Sequence, residues 1–136
     1  MTIVYSYYVA DILHRGHLIH MRNAKKLAGK DGISIVGILT DKAVMERKKK
    51  PILSLDERME LVKAIKYNDI VIPQADYSPL NNMKDIHPDI MLESASHTQE
   101  DIEKARTLMS SLGGIVFVMP YYPIISSTEI KEKIKA

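Results

Sequence analysis

The heptapeptide Asp11-Ile12-Leu13-His14-Arg15-Gly16-His17 stands where a strand pattern gives way to a helical one. Upstream, Ile3 to Val9 is rich in Val, Ile and Tyr and too short for a helix, so it is predicted as a first strand. Downstream, Leu18, Met21, Ala24, Leu27 and Ala28 recur at helical spacing while Arg22, Lys25 and Lys26 fall elsewhere, which predicts a helix from about Gly16 to Ala28. With His17 in the first helical turn, that turn's unpaired backbone N–H groups share a space with both imidazoles. Gly16 leaves room for a bulky group to approach the backbone. Backbone donors, the positive end of a helix dipole and two rings able to donate suit a polyphosphate. The plain alternative is a pair of surface histidines or a chance metal site, because short motifs recur by chance.

The same alternation continues along the chain. Ile33 to Thr40 is apolar enough to be a strand covered on both faces. A polar, basic loop is expected over Asp41 to Leu53. Ser54 with Glu57 three residues on is a capping-box signature, and Leu55, Met59, Val62 and Ile65 form the buried face of the helix it opens. Short strands follow at Asp69 to Pro73, Asp89 to Leu92 and Gly114 to Met119. Helices are expected near Leu80 to Ile86, over Ser96 to Leu112 with Gly113 as its stop, and from Ser126 onward, with Glu129 completing a capping box. Five apolar strands alternating with helices predict a parallel sheet with helices on both faces, an α/β class. Ligands of such sheets bind beyond the carboxyl ends of the strands, where the winding reverses.

Composition narrows the function. At 136 residues, 46% hydrophobic and 26% charged, the chain reads as one globular domain over residues 1–136. Net charge is only +2, part of it in the run Arg47-Lys48-Lys49-Lys50, so there is no general bias toward nucleic acid. The absence of cysteine excludes a disulfide scaffold, a thiol nucleophile and a cysteine-based zinc site. Nothing resembles a signal peptide, and no apolar run approaches the ~20 residues of a membrane span, so a cytoplasmic protein is expected.

The loops at the predicted ligand edge add chemistry. A basic loop is usually just solvated, but a lysine on a loop beside a phosphate-binding helix start can close over a triphosphate. Ser126-Ser127-Thr128 sets three hydroxyls at a helix start; Ser126 and Glu129 satisfy ordinary capping, and Ser127 and Thr128 are surplus to it. Neither a P-loop nor a dinucleotide Gly-x-Gly-x-x-Gly is present. His20, His87 and His97 are isolated and read as surface or capping residues.

Taken together these segments resemble the His-x-Gly-His nucleotidyltransferases, and within them the small cytidylyltransferases that activate alcohol phosphates such as glycerol 3-phosphate. Asp11 to His17 is similar to their Asp-Leu-Leu-His-x-Gly-His, and Thr40-Asp41 to their Ser/Thr-Asp after strand two. Lys49 falls at the phosphate-contacting lysine, Ser54 to Arg58 at their Ser-x-Glu-x-Arg, and Asp69 to Pro73 at their Asp-x-Val-Ile-Pro strand. Ile125 to Ile130 resembles their Ile-Ser-Ser/Thr-Thr-x-Ile. Ala10-Asp11, Leu39 to Ala43 and Lys49 to Pro51 are also similar to the cytidylyltransferase domains found with phosphonate-making mutases. Two segments depart. The usual Gly-Asp-Asp-Trp after strand four reads Glu93-Ser94-Ala95-Ser96, and the usual Arg-Thr-Glu-Gly reads Tyr121-Tyr122-Pro123-Ile124.

The resemblance implies a Rossmann-like five-stranded fold and transfer of CMP from CTP to a small phosphate or phosphonate, with release of pyrophosphate. It implies His14, His17 and Lys49 as catalytic residues. Nucleotide contacts are expected from Val9, Ala10, Asp11, Gly16, Glu93, Ser94, Ser126, Ser127 and Thr128, and acceptor contacts from Asp41, Lys48 and Tyr121. Mg²⁺ is expected on the triphosphate, with Asp11 either orienting the motif or helping to hold the metal, and a homodimer is expected. ATP in place of CTP, or nucleotide binding without turnover, are the competing expectations.

Overall fold

The computed structural model describes residues 1–120 and 127–135. Five strands, β1 (Ile3–Tyr8), β2 (Ile33–Leu39), β3 (Ile70–Gln74), β4 (Ile90–Ser94) and β5 (Ile115–Met119), form one sheet in the order β3-β2-β1-β4-β5. Every pairing is parallel. The helices between them are α1 (Arg15–Ala28), α2 (Asp41–Met45), α3 (Leu55–Lys63), α4 (Leu80–Ile86) and α5 (Gln99–Leu112), and α6 (Ser127–Lys135) follows β5. This is the α/β, Rossmann-like architecture that the alternation of strand and helix patterns predicts.

Central position explains the burial of β1, where Val4, Tyr5 and Ser6 are fully enclosed. On one face Met21 of α1 and Val62 of α3 pack on Val36, Ile38 and Val71, while Ala24 and Ala28 cover Val4 and Leu92. On the other, Met83 of α4, Ala105 and Met109 of α5, and Ala43 and Val44 of α2 pack on Tyr5, Tyr7, Leu39 and Met91. Crossovers from β1 run outward through β2 to β3, whereas the chain returns past β1 to build β4 and β5. The switch point is therefore the crevice between the carboxyl ends of β1 and β4.

Some elements differ from the sequence reading, each for a local reason. Asp41 to Met45 is not loop but a short helix, because Thr40 accepts a hydrogen bond from Ala43 N at 3.1 Å and Ala43 and Val44 bury against the sheet. Strand β4 runs on to Ser94, since Glu93 and Ser94 pair in register with Val118 and Met119. Helix α5 starts at Gln99 rather than Ser96, with Thr98 as its cap, accepting from Asp101 N at 3.2 Å. Leu18 lies 43% exposed, outside the stripe that Met21, Ala24 and Ala28 bury. Ser126, expected to open α6, lies outside the described residues.

Candidate active site

The turn out of β1 is sharp. Ala10 has φ +56°, in the left-handed region that residues with a side chain seldom adopt, and it is buried. The bend delivers Asp11 to the interior, where it is 2% exposed and its oxygens accept from Ile52 N and Leu53 N, each at 2.9 Å. Lys131 of α6 pairs with the same carboxylate, and Ser127 Oγ donates to Ile12 O at 2.6 Å. Burial opposes the charge on Asp11, but the bonds from Leu53, Lys131 and Ile52 outweigh it and lower its pKa. Asp11 therefore staples the motif to the loop before α3 and to α6. Both of its oxygens face protein donors.

His14 is the N-cap of α1, and Gly16 N donates to its Nδ1 at 3.1 Å. His17 Nδ1 in turn accepts from His14 N at 3.2 Å, so the two rings form a reciprocal cap. Because each Nδ1 accepts a backbone N–H, each neutral ring carries its proton on Nε2, the nitrogen away from the backbone. The ring centroids lie 4.1 Å apart. Burial, then the neighbouring His14 and His20, lower the His17 pKa to about 4, and burial lowers that of His14 against the pull of Glu129. At neutral pH the start of α1 thus presents two N–H donors and no fixed acceptor. The space that Gly16 leaves is taken by the protein itself: a Cβ there would lie 2.8 Å from His14 Cε1.

A second support is Arg58, fully buried. Its guanidinium donates to Val9 O at 2.8 Å, Leu39 O at 2.7 Å, Leu53 O at 3.1 Å and Asp41 Oδ1 at 2.7 Å. One planar, always-charged fork thus ties the carboxyl ends of β1 and β2 to the start of α2 and the loop before α3. Asp41, expected at the acceptor, is paired here. Lys48, Lys49 and Lys50 are exposed beyond α2. Arg47 anchors that segment across the sheet edge, bonded to Asp101 at 2.6 and 3.3 Å and lying 4.4 Å over the Tyr77 ring.

Beyond β4 the structure shows a buried polar cluster. Glu93, expected to contact nucleotide, is fully buried, with the Tyr7 hydroxyl 3.1 and 3.3 Å from its oxygens and His97 paired with it. Ser94 Oγ bonds Ser96 Oγ at 2.8 Å and accepts from Ser96 N, shaping the turn before α5. His20 and His97, read as isolated, belong to this edge: His20 bonds the Tyr8 hydroxyl, and His97 stacks on Tyr7 with centroids 5.1 Å apart. Only the pairing of β1 with β4 brings these residues together, and sequence spacing holds no signal for it. His87, in contrast, is exposed at the end of α4. Val9 lends its carbonyl to Arg58, Ser127 is the hydroxyl bound to Ile12, and Thr128 is exposed in the first turn of α6. Tyr121 and Ser126 lie outside the described residues.

Residues 9–133 match the family described as cytidylyltransferase-like. The chain belongs to that family. This cytidylyltransferase-like chain is 30% identical over 129 residues to the bifunctional protein HldE of Yersinia enterocolitica and 31% identical over 127 residues to that of Vibrio vulnificus. The alignments cover 93% and 92% of the chain and 26% of either relative, so it spans about a quarter of their length. Among solved structures, the lipopolysaccharide core biosynthesis protein of Thermoplasma volcanium superposes with a TM-score of 0.75 at 24% identity, covering 92% of this chain and 99% of that one. The macrolide-efflux protein of Streptococcus pneumoniae gives 0.68 at 20% identity, covering 98% of this chain and 51% of that one. At such identities the likeness is one of fold. The cytidylyltransferase-like domain is that of a nucleotidyltransferase, and no helix among the described residues is long and apolar enough to cross a membrane.

Proposed function

We propose that the protein transfers CMP from CTP to the phosphate or phosphonate group of a small organic molecule, releasing pyrophosphate. The observation that carries this reading is the reciprocal cap at the start of α1, which leaves His14 Nε2–H and His17 Nε2–H as donors beside the helix N-terminus. The acceptor oxygen is already anionic, so it attacks the α-phosphorus without a general base as the bond to the pyrophosphate oxygen breaks. Catalysis is then positioning and charge stabilisation. The two histidines donate to the α-phosphate oxygens as charge builds on them, and Lys49 closes over the reacting groups. Thr128 and the first turn of α6 meet the outer phosphates, and Ser127 joins them by turning from Ile12.

Mg²⁺ enters as part of the nucleotide substrate, where it neutralises phosphate charge. The donor set supports this arrangement, since both Asp11 oxygens face protein donors. Mg²⁺ is commonly held by few protein ligands and by substrate phosphates. A homodimer is part of this proposal.

The test is pyrophosphate release with Mg²⁺, taking each nucleoside triphosphate against 2-aminoethylphosphonate, 2-hydroxyethylphosphonate, phosphoethanolamine, phosphocholine and glycerol 3-phosphate. CTP-dependent release with one acceptor is expected. Release with ATP alone moves the protein to adenylyl transfer, the alternative that the departure from Gly-Asp-Asp-Trp at Glu93 to Ser96 leaves open. A His14→Ala variant is expected to lose ~10²-fold or more in turnover, the scale of one lost transition-state donor. Unchanged turnover in that variant defeats the assignment.

A further inference from the structure

The Tyr7–Glu93–His97 cluster has no part in the transfer as described, yet it stands at the switch point. Glu93 is a fully buried carboxylate at the carboxyl end of β4, and a charge there is costly unless its partners are fixed. Its partners are the Tyr7 hydroxyl from β1 and His97 Nδ1 from the turn before α5. Tyr7 also touches His97 Nδ1 at 3.3 Å and stacks on its ring. The Tyr7 and Glu93 oxygens both meet Nδ1, which leaves Nε2 as the second ring nitrogen of a side chain that is 26% exposed.

The two faces of the sheet separate the histidine motif from this cluster. His14 and His17 stand on α1, which packs on the face of Val36 and Ile38, and α6 is tied to the same motif through Asp11 and Ile12. Tyr7 and Met91 belong to the opposite core, with α2, α4 and α5, and Glu93 shares the face of Met91 by strand alternation. On that side Arg47 is bound to Asp101 of α5.

We propose that His97 is an acceptor-contacting residue, held by Tyr7 and Glu93 on the α5 side of the β1/β4 crevice and offering Nε2 to the anionic phosphate or phosphonate of the second substrate. Glu93 acts through it as a positioning residue: its carboxylate bonds Nδ1 and fixes the orientation of the ring. The inference rests on the transfer reading above and adds to it which side of the crevice holds the acceptor.

Steady-state kinetics of the full chain decide the matter, with CTP and whichever acceptor of the panel supports wild-type turnover. His97→Asn is expected to raise the acceptor KM about tenfold or more, as loss of a charge-assisted contact does, with the nucleotide KM within about twofold of wild type. Its thermal midpoint is expected to fall, because the buried Glu93 carboxylate loses its imidazole partner, so rates are compared at a temperature where both proteins are folded. Glu93→Gln, which keeps the shape but not the charge, is expected to raise the same KM by less. An acceptor KM that does not move in His97→Asn overturns the inference, as does an equal rise in both KM values. In those cases wild-type turnover still stands and so does nucleotidyl transfer. Wild type silent with every pair defeats both.

Discussion

At position 16 a side chain as small as one methyl group would meet His14 Cε1 at 2.8 Å and Nδ1 at 3.0 Å. The atoms in the way are side chain, so the fold can relieve the clash cheaply by turning the imidazole. The site cannot, because the ring would leave Gly16 N and its Nε2–H would swing from the phosphate position. Gly16→Ala is therefore expected to melt within a few degrees of the parent and to lose ~10-fold to 10²-fold in turnover, the range of a displaced donor. Thermal melts and steady-state rates on the same preparation separate the two effects; a variant with full activity would remove the steric argument. The glycine was legible in the sequence as a space-maker, but not what fills the space. A sequence pattern places Gly16 beside two histidines; it does not say that their Nδ1 atoms turn back to the chain, which fixes the tautomer on which the proposed transfer depends.

Between elements, Arg58 does what no periodicity announces. Helical spacing marks Leu55, Met59, Val62 and Ile65 as the inner face of α3, yet the most enclosed side chains there are Arg58 and Val62. Strands β1 and β2 end with carbonyls of Val9 and Leu39 pointing into the same pocket, and the guanidinium satisfies both together with Leu53 O and Asp41. Arg58→Met fills the volume but leaves three carbonyls and a carboxylate short of a partner. It is expected to destabilise the protein by about 3 kcal/mol or more, at about 1–3 kcal/mol for each buried carbonyl left unpaired, with Asp41 partly exposed and contributing less, visible as a lower urea midpoint at unchanged slope. Arg58→Lys keeps the charge with fewer donors and a different reach, and should fall between. Equal stability of Arg58→Met and parent would deny the clamp. The strands were readable because a parallel sheet covered on both faces demands continuous apolar runs. Helix α2 and the last residues of β4 were not, since one is a single capped turn in polar sequence and the other buries a carboxylate that only a distant tyrosine and histidine make tolerable.

Across the whole molecule, the histidines that line one edge of the sheet make stability depend on pH. Burial is the main reason that His17 and His20 are each held at about 4, with His14 and His20 adding to the effect at His17 and His97 adding to it at His20. In the unfolded chain both rings titrate near 6.5. Between those values the unfolded state binds more protons than the folded one, so stability falls as pH falls, beginning near about 6.5 and complete near about 4. Each ring can account for up to about 3 kcal/mol over that range. Asp11 acts in a lower window: its pKa is depressed in the fold, so its contribution persists above the ordinary carboxylate value of about 3.9 and is lost only beneath it. Urea unfolding at about pH 7 and about pH 5 should show a clear loss at the lower value. His20→Phe, which replaces a ring bonded to Tyr8 by one that cannot titrate, should flatten the loss. A saturating MgCTP concentration should flatten it too, because a triphosphate beside His17 favours the protonated ring that burial now disfavours. A parent protein equally stable at both pH values would mean that the imidazoles at this edge are not held neutral. The two donors assigned to the transfer would then have to act as cations.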